Sequence, residues 1–191
     1  MIGGEMTPRI DPVKIEELDG DGQALLLSID NQGTGADNVF RTLVRNKGLF
    51  RYFIPYGGKL LKGKLPPRLR ELLILRIAHL CESPYEWNQH VKIATSVGLN
   101  PAEIEAIRLD TKVWNWSDIE LAVLNAVDQL HLTANIQSDV WQVLTQHLDE
   151  AQLVELPLLV GHFHGVAYFL NALEIEIENE VVPFNPVSSA T

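Results

Sequence analysis

The stretch PPRLRELLILRIAHL at 66–80 constrains the fold more than any other part of the chain. Its opening prolines suit a first helical turn, where the missing amide hydrogen costs nothing. Leu72, Leu73, Ile74 and Leu75 follow without interruption, so a helix here is apolar nearly all round. Such a helix offers no face to water and has to be enclosed by other elements. The remaining patterns are helical too, and no run shows the period of two that a half-buried strand requires. The expected fold class is all-α.

The partners of that helix can be read from periodicity and punctuation. QALLLSI (23–29) reads as a short helix or core segment after a Pro-, Gly- and acid-rich start, and DNQGTGADN (30–38) as a loop. VFRTLVRNKGLFRYFIPYGGKLL (39–61) reads as two short helices broken at Gly48 and at a Pro55–Gly58 turn. SPYEWNQHVKIATSVG (83–98) repeats Trp87, Val91 and Ala94 at helical spacing and ends on Gly98. A helix over 100–109 is capped by Asn100, and one over 116–132 by Ser117 with Glu120. Segments 138–148 and 150–178 complete the set. The expected organisation is an N-terminal wrap with a short helix (1–37), a helical domain (38–178) and an irregular tail (179–191).

A weak internal repeat runs through the domain. RELLILRIAHL (70–80) resembles IELAVLNAVDQL (119–130), with Glu71 over Glu120. HVKIATSVGLNPAEIEAI (90–107) resembles VWQVLTQHLDEAQLVEL (140–156), with Val140 where the first copy has His90.

Composition closes several function classes. The formal net charge is −10, and the 15 Lys and Arg form no stripe with interleaved aromatics, so no nucleic-acid partner is expected. No apolar run is read as long enough to cross a bilayer, so no membrane partner is expected. MIGGEMTPRIDPVK has no basic region followed by an apolar one, so no secretory signal is expected. Cys81 is the single cysteine, which excludes an intramolecular disulfide and fits a reducing, cytoplasmic setting.

Chemistry concentrates in CESPYEWNQH (81–90). Glu86 and His90 are four apart on one helix, so they share a face and can hydrogen-bond. A carboxylate beside imidazole fixes its tautomer, which makes His90 a candidate general base or acid with Glu86 as its orienter. The alternative is that Ser83 and Glu86 form a capping box, with Glu86 bonded to the cap amide. Glu71, near the start of the apolar helix, is costly to bury unless paired or protonated, and desolvation would make it a second proton carrier. It could also simply pair with Arg68 or Arg70. Tyr85, Trp87, Ser83 and Cys81 are candidate substrate contacts, and Arg68, Arg70 or Arg76 could help bind an anion. His162 and His164 are two apart, so on a helix they diverge and do not chelate one ion. A site joining one of them to His90 is left open, while His79, His131 and His147 show no partner pattern. The expected metal and cofactor content is none.

The quoted residues carry a resemblance. PPRLRELLILRIAHLCESPYEWNQHVKIATSVGLNPAEIEAI (66–107) is similar to the core of the carboxymuconolactone decarboxylase family, which includes the alkylhydroperoxidase D-like proteins. With NVFRTLVRNKGLF before it and DVWQVL and LVEL after it, the likeness extends over most of 38–175. The glutamate of RELLIL and the YEW-x-x-H block are its most specific parts. In the alkylhydroperoxidase branch a Cys-x-x-Cys pair stands seven and four residues before the histidine, and a relay glutamate nineteen before it. Glu71 matches the relay position; Ser83 and Glu86 stand where the redox pair would be, and Cys81 replaces neither. The resemblance implies a helical bundle that assembles as a homo-oligomer, often a hexamer built as a trimer of dimers. It further implies cofactor-free acid–base chemistry of lyase or decarboxylase type on a small carboxylated or lactone substrate. Peroxiredoxin-type antioxidant activity is the alternative that the missing cysteine pair disfavours. A non-catalytic binding or assembly protein is the other.

Overall fold

The structure, a computed structural model, describes residues 7–29 and 37–178. Its described regular elements are helical: a 3₁₀ turn at Ile15–Glu17, then α1 (Gly20–Leu27), α2 (Asn38–Leu43), α3 (Lys47–Leu61), α4 (Pro67–Leu80), α5 (Pro84–Ser96), α6 (Pro101–Ala106), α7 (Asp118–Thr133), α8 (Ser138–His147) and α9 (Glu150–Ala172). The all-α expectation holds. Segment 30–36 and the tail from 179 lie outside the described residues.

Helix α4 is the enclosed axis that its sequence requires. Every residue from Glu71 to Ala78 is buried, and α5, α7 and α9 pack around it. The principal core joins Leu72, Leu73, Ile74 and Ile77 to Trp87 of α5, Val123, Leu124 and Val127 of α7, Leu144 of α8 and Leu159 and Phe163 of α9. Two smaller clusters flank it. One gathers Val13, Leu26, Leu43, Val44 and Phe50, and so fastens the N-terminal wrap to α2 and α3. The other seats Ile175 on Tyr85 and Leu170.

Two arginines of α4 tie this packing together. Arg68 donates to Glu120 of α7, to Glu103 of α6 and to the Gly98 carbonyl beyond α5. Arg76, 7% exposed, grips both oxygens of Asp128 and the carbonyls of Ile107 and Leu109. Both guanidinium groups are therefore spent on structure, against the expectation that they could hold an anion.

The repeat has structural counterparts. α4 and α5 are followed by the capped helix α6, and α7 and α8 by the capped helix α9; Asn100 and Asp149 each complete a capping box. The repeated glutamates diverge: Glu120 turns out to Arg68, while Glu71 turns into the core.

Three expectations need correction. α3 runs unbroken through Pro55, Gly57 and Gly58 rather than breaking there. Helix packing around those residues outweighs the local punctuation. α9 ends at Ala172, not 178, and passes through Pro157. Glu150–Ala172 is also long and apolar enough to cross a membrane by length and composition. The reason for that apolar character is visible in its packing, since Leu156, Leu159, Val160, Phe163, Ala167 and Leu170 are core residues.

Truncating the axis should be costly where truncating the surface is not. Leu73→Ala should lower unfolding free energy by about 2–5 kcal/mol, and Leu132→Ala (78% exposed) by no more than about 0.5 kcal/mol, in urea denaturation.

Candidate active site

Helices α2, α3, α5 and α9 line a cavity of about 330 Å³. Its wall is mainly apolar, with Phe40, Phe53, Ile54, Ile93, Phe163 and Val166. Glu86 and His90 of α5 and His162 of α9 bring titratable groups into it. Among the described lining residues there is no Lys or Arg.

His90 is held from behind. Its Nδ1 lies 2.7 Å from Oε2 of Glu71, nineteen residues away on α4. Arg70 Nε donates to the other oxygen of Glu71 at 3.0 Å. Glu71 has no exposure at all, so these two partners are what make its burial tolerable. With Nδ1–H donating to Glu71, Nε2 is the ring nitrogen with a free lone pair. Phe163 presses edge-on against the ring at 5.2 Å, which limits its rotation.

Glu86 is not the orienter of His90. The spacing does place both on one face of α5, but Nδ1 is already occupied by Glu71 from the neighbouring helix. Nor does Glu86 complete a capping box, because neither its oxygens nor the Ser83 hydroxyl has a hydrogen-bond partner among the described residues. Its carboxyl group is buried without a compensating charge. Burial pushes its pKa well above the ordinary carboxylate range and favours the neutral acid.

The remaining candidates separate. Tyr85 lines the cavity, but its hydroxyl donates to Glu178 at 2.6 Å, so that proton is taken. Trp87 belongs to the principal core, with the Arg108 guanidinium 5.4 Å from its ring, and does not line the cavity. Ser83 and Cys81 also lie outside its wall. Cys81 sits against the principal core, and burial pushes its thiol up to about 11. His162 went unassigned in the sequence and is a wall residue here. Its ring reaches so close to Gly57 that a Cβ there would lie 2.8 Å from Nε2, and Phe53 and Tyr56 flank it. Burial lowers its pKa and favours the neutral ring. No local pattern could have shown this, because the glycine that admits His162 lies on another helix.

The helical bundle that holds this site has the all-α fold of the alkylhydroperoxidase D-like structures. Residues 47–129 match the model of the Carboxymuconolactone decarboxylase family. No curated protein sequence matches it. Among solved structures, it resembles the alkylhydroperoxidase AhpD core of a peroxidase-related protein from Ralstonia eutropha JMP134, with TM-score 0.79 and 16% identity over 92% of this chain and 95% of that one. A peroxidase-related protein from Silicibacter sp. TM1040 gives 0.74 and 14% identity over 91% and 95%. The debrominase Bmp8, as a cysteine-to-alanine variant with 2,3,4-tribromopyrrole, gives 0.72 and 15% over 91% and 93%. At these identities the likeness concerns the fold.

The buried acid makes stability depend on pH in a defined direction. A carboxyl whose folded pKa is raised binds more protons folded than unfolded, so stability is lost as pH rises above its unfolded value. The loss runs at up to about 1.4 kcal/mol per pH unit until the folded group itself ionises. Glu86→Gln should therefore gain stability relative to the unchanged protein on going from pH 4.5 to pH 7, as read by urea denaturation at each pH.

Proposed function

We propose that the protein is a cofactor-free acid–base enzyme that moves a proton to or from carbon beside a carbonyl group, in a small, largely apolar substrate such as an unsaturated lactone. One observation carries this reading: a largely apolar cavity holds a carboxyl group kept as the neutral acid and an imidazole whose free nitrogen is available as a base. Titratable groups placed by their surroundings in complementary states are what acid and base roles require.

In this reading His90 Nε2 takes the proton from the carbon and Glu71 stabilises the imidazolium formed. Glu86 donates its proton to the oxygen or carbon where negative charge develops. Both exchange roles in the reverse direction. The cavity size suits a single small ring. The structural neighbour Bmp8 holds 2,3,4-tribromopyrrole, a planar ring of that order. A substrate carboxylate would meet no cationic wall residue among those described, and a desolvated carboxylate is favoured to leave as carbon dioxide. That supports a decarboxylase-type step over simple binding of an acid. Thiol peroxidase chemistry lacks such support, with Cys81 outside the cavity and its thiol pushed up to about 11.

A panel of β,γ-unsaturated γ-lactones, with and without a carboxylate, tests this by ultraviolet absorbance and by deuterium incorporation from D₂O. The protein should accelerate isomerisation or decarboxylation of at least one. His90→Gln and Glu86→Gln should each lower that rate by about 10²–10⁴-fold while remaining folded. Rates unchanged in both variants would remove the proposal.

A further inference from the structure

A second group of reactive side chains lies on the other side of α9 from the cavity wall. Cys81 at the end of α4, His131 in the last turn of α7 and His164 on α9 bring Sγ and a nitrogen from each ring within 4.8 Å of one another. His164 is buried, while Cys81 and His131 are half-buried and within reach of solvent. None of the three lines the cavity.

The hydrogen bonds around this group orient the ring of His164 and fasten the backbone of Cys81. Nδ1 of His164 lies 2.9 Å from the Val160 carbonyl, which can only accept, so this nitrogen carries the proton. In the neutral ring the lone pair of Nε2 is then left pointing at His131, whose Nδ1 stands 2.9 Å away. A backbone carbonyl fixing the far nitrogen of a histidine is the arrangement that sets the tautomer of metal-binding imidazoles. The backbone of Cys81 is fastened as well, since Asn171 Nδ2 donates to its carbonyl at 2.7 Å. Of the charges that act on His131, Asp128 and Arg76 are paired with each other.

We propose that Cys81, His131 and His164 form a three-ligand site for a divalent ion of the zinc class, with the fourth tetrahedral position left to water. One thiolate and two imidazoles are a donor set that selects zinc and its congeners over magnesium or calcium. Binding releases one proton. Sγ loses its hydrogen to solvent and donates an electron pair to the metal. His164 gives the Nε2 lone pair unchanged, and His131 moves its proton from Nδ1 to Nε2 and donates from Nδ1. The ion joins the ends of α4 and α7 to the middle of α9. This site is independent of the proposed lactone chemistry.

The test uses the full-length, tag-free chain and Co²⁺ as the probe, followed by competition with Zn²⁺. One Co²⁺ per chain should bind with thiolate-to-metal charge-transfer absorption and the visible bands of a tetrahedral site, and Zn²⁺ should abolish both. Calorimetry in two buffers of different ionisation enthalpy should report release of about one proton per ion. Cys81→Ser should lose the charge-transfer band, and His164→Ala should weaken binding by at least about 10–100-fold. His147→Gln, an exposed histidine elsewhere, should change nothing. Circular dichroism and thermal midpoint in EDTA establish that the variants fold. Binding without thiolate absorption, or with affinity unaffected by both ligand variants, would overturn the site.

Discussion

A carboxylate at zero exposure inside an almost wholly apolar helix is the constraint on which the site depends. Glu71 is tolerable there because Arg70 and His90 each bond one of its oxygens. This obliges α5 to lie against α4 with His90 facing inward. It also leaves α2, α3 and α9 to close the far side of the imidazole, where the cavity lies. The same histidine that satisfies Glu71 is thereby positioned to use its other nitrogen.

The apolar surroundings have opposite effects on the two glutamates of the region. Glu71 has a guanidinium and an imidazole for partners, while Glu86 has desolvation alone and is driven toward the neutral acid. Buried polar groups without partners are uncommon, and one at the wall of a cavity is in place to meet a bound molecule. The repeat makes the specialisation plain. The second copy keeps the helices but spends Glu120 on Arg68 and has Val140 in place of a histidine.

The helices were largely legible in the sequence because their signals are local: proline at the first turn, capping residues, Gly98 with φ of +93° beyond α5, and an apolar run that could only be enclosed. Glu71 and His90 were legible through their resemblance to a known spacing. The Glu86–His90 bond was misjudged because an i, i+4 pair shows proximity but not which partner wins when another helix supplies a carboxylate. Pro55 misled because local punctuation says nothing of the packing that carries α3 through it. His162 against Gly57, and Cys81 beside His131 and His164, were out of reach, since each joins residues from separate helices. Arg68 and Arg76 looked available only because their carboxylate and carbonyl partners are distant in sequence.

Glu71 holds the Nδ1–H of His90 and leaves Nε2 free toward the cavity. Long-range ¹H–¹⁵N correlation of the histidine side chains at pH 7.5 reads this directly, with His90→Gln assigning the signals. The expected tautomer has the proton on Nδ1 and converts to a different pattern in Glu71→Gln. A His90 ring with its proton on Nε2, unaltered by Glu71→Gln, would contradict it.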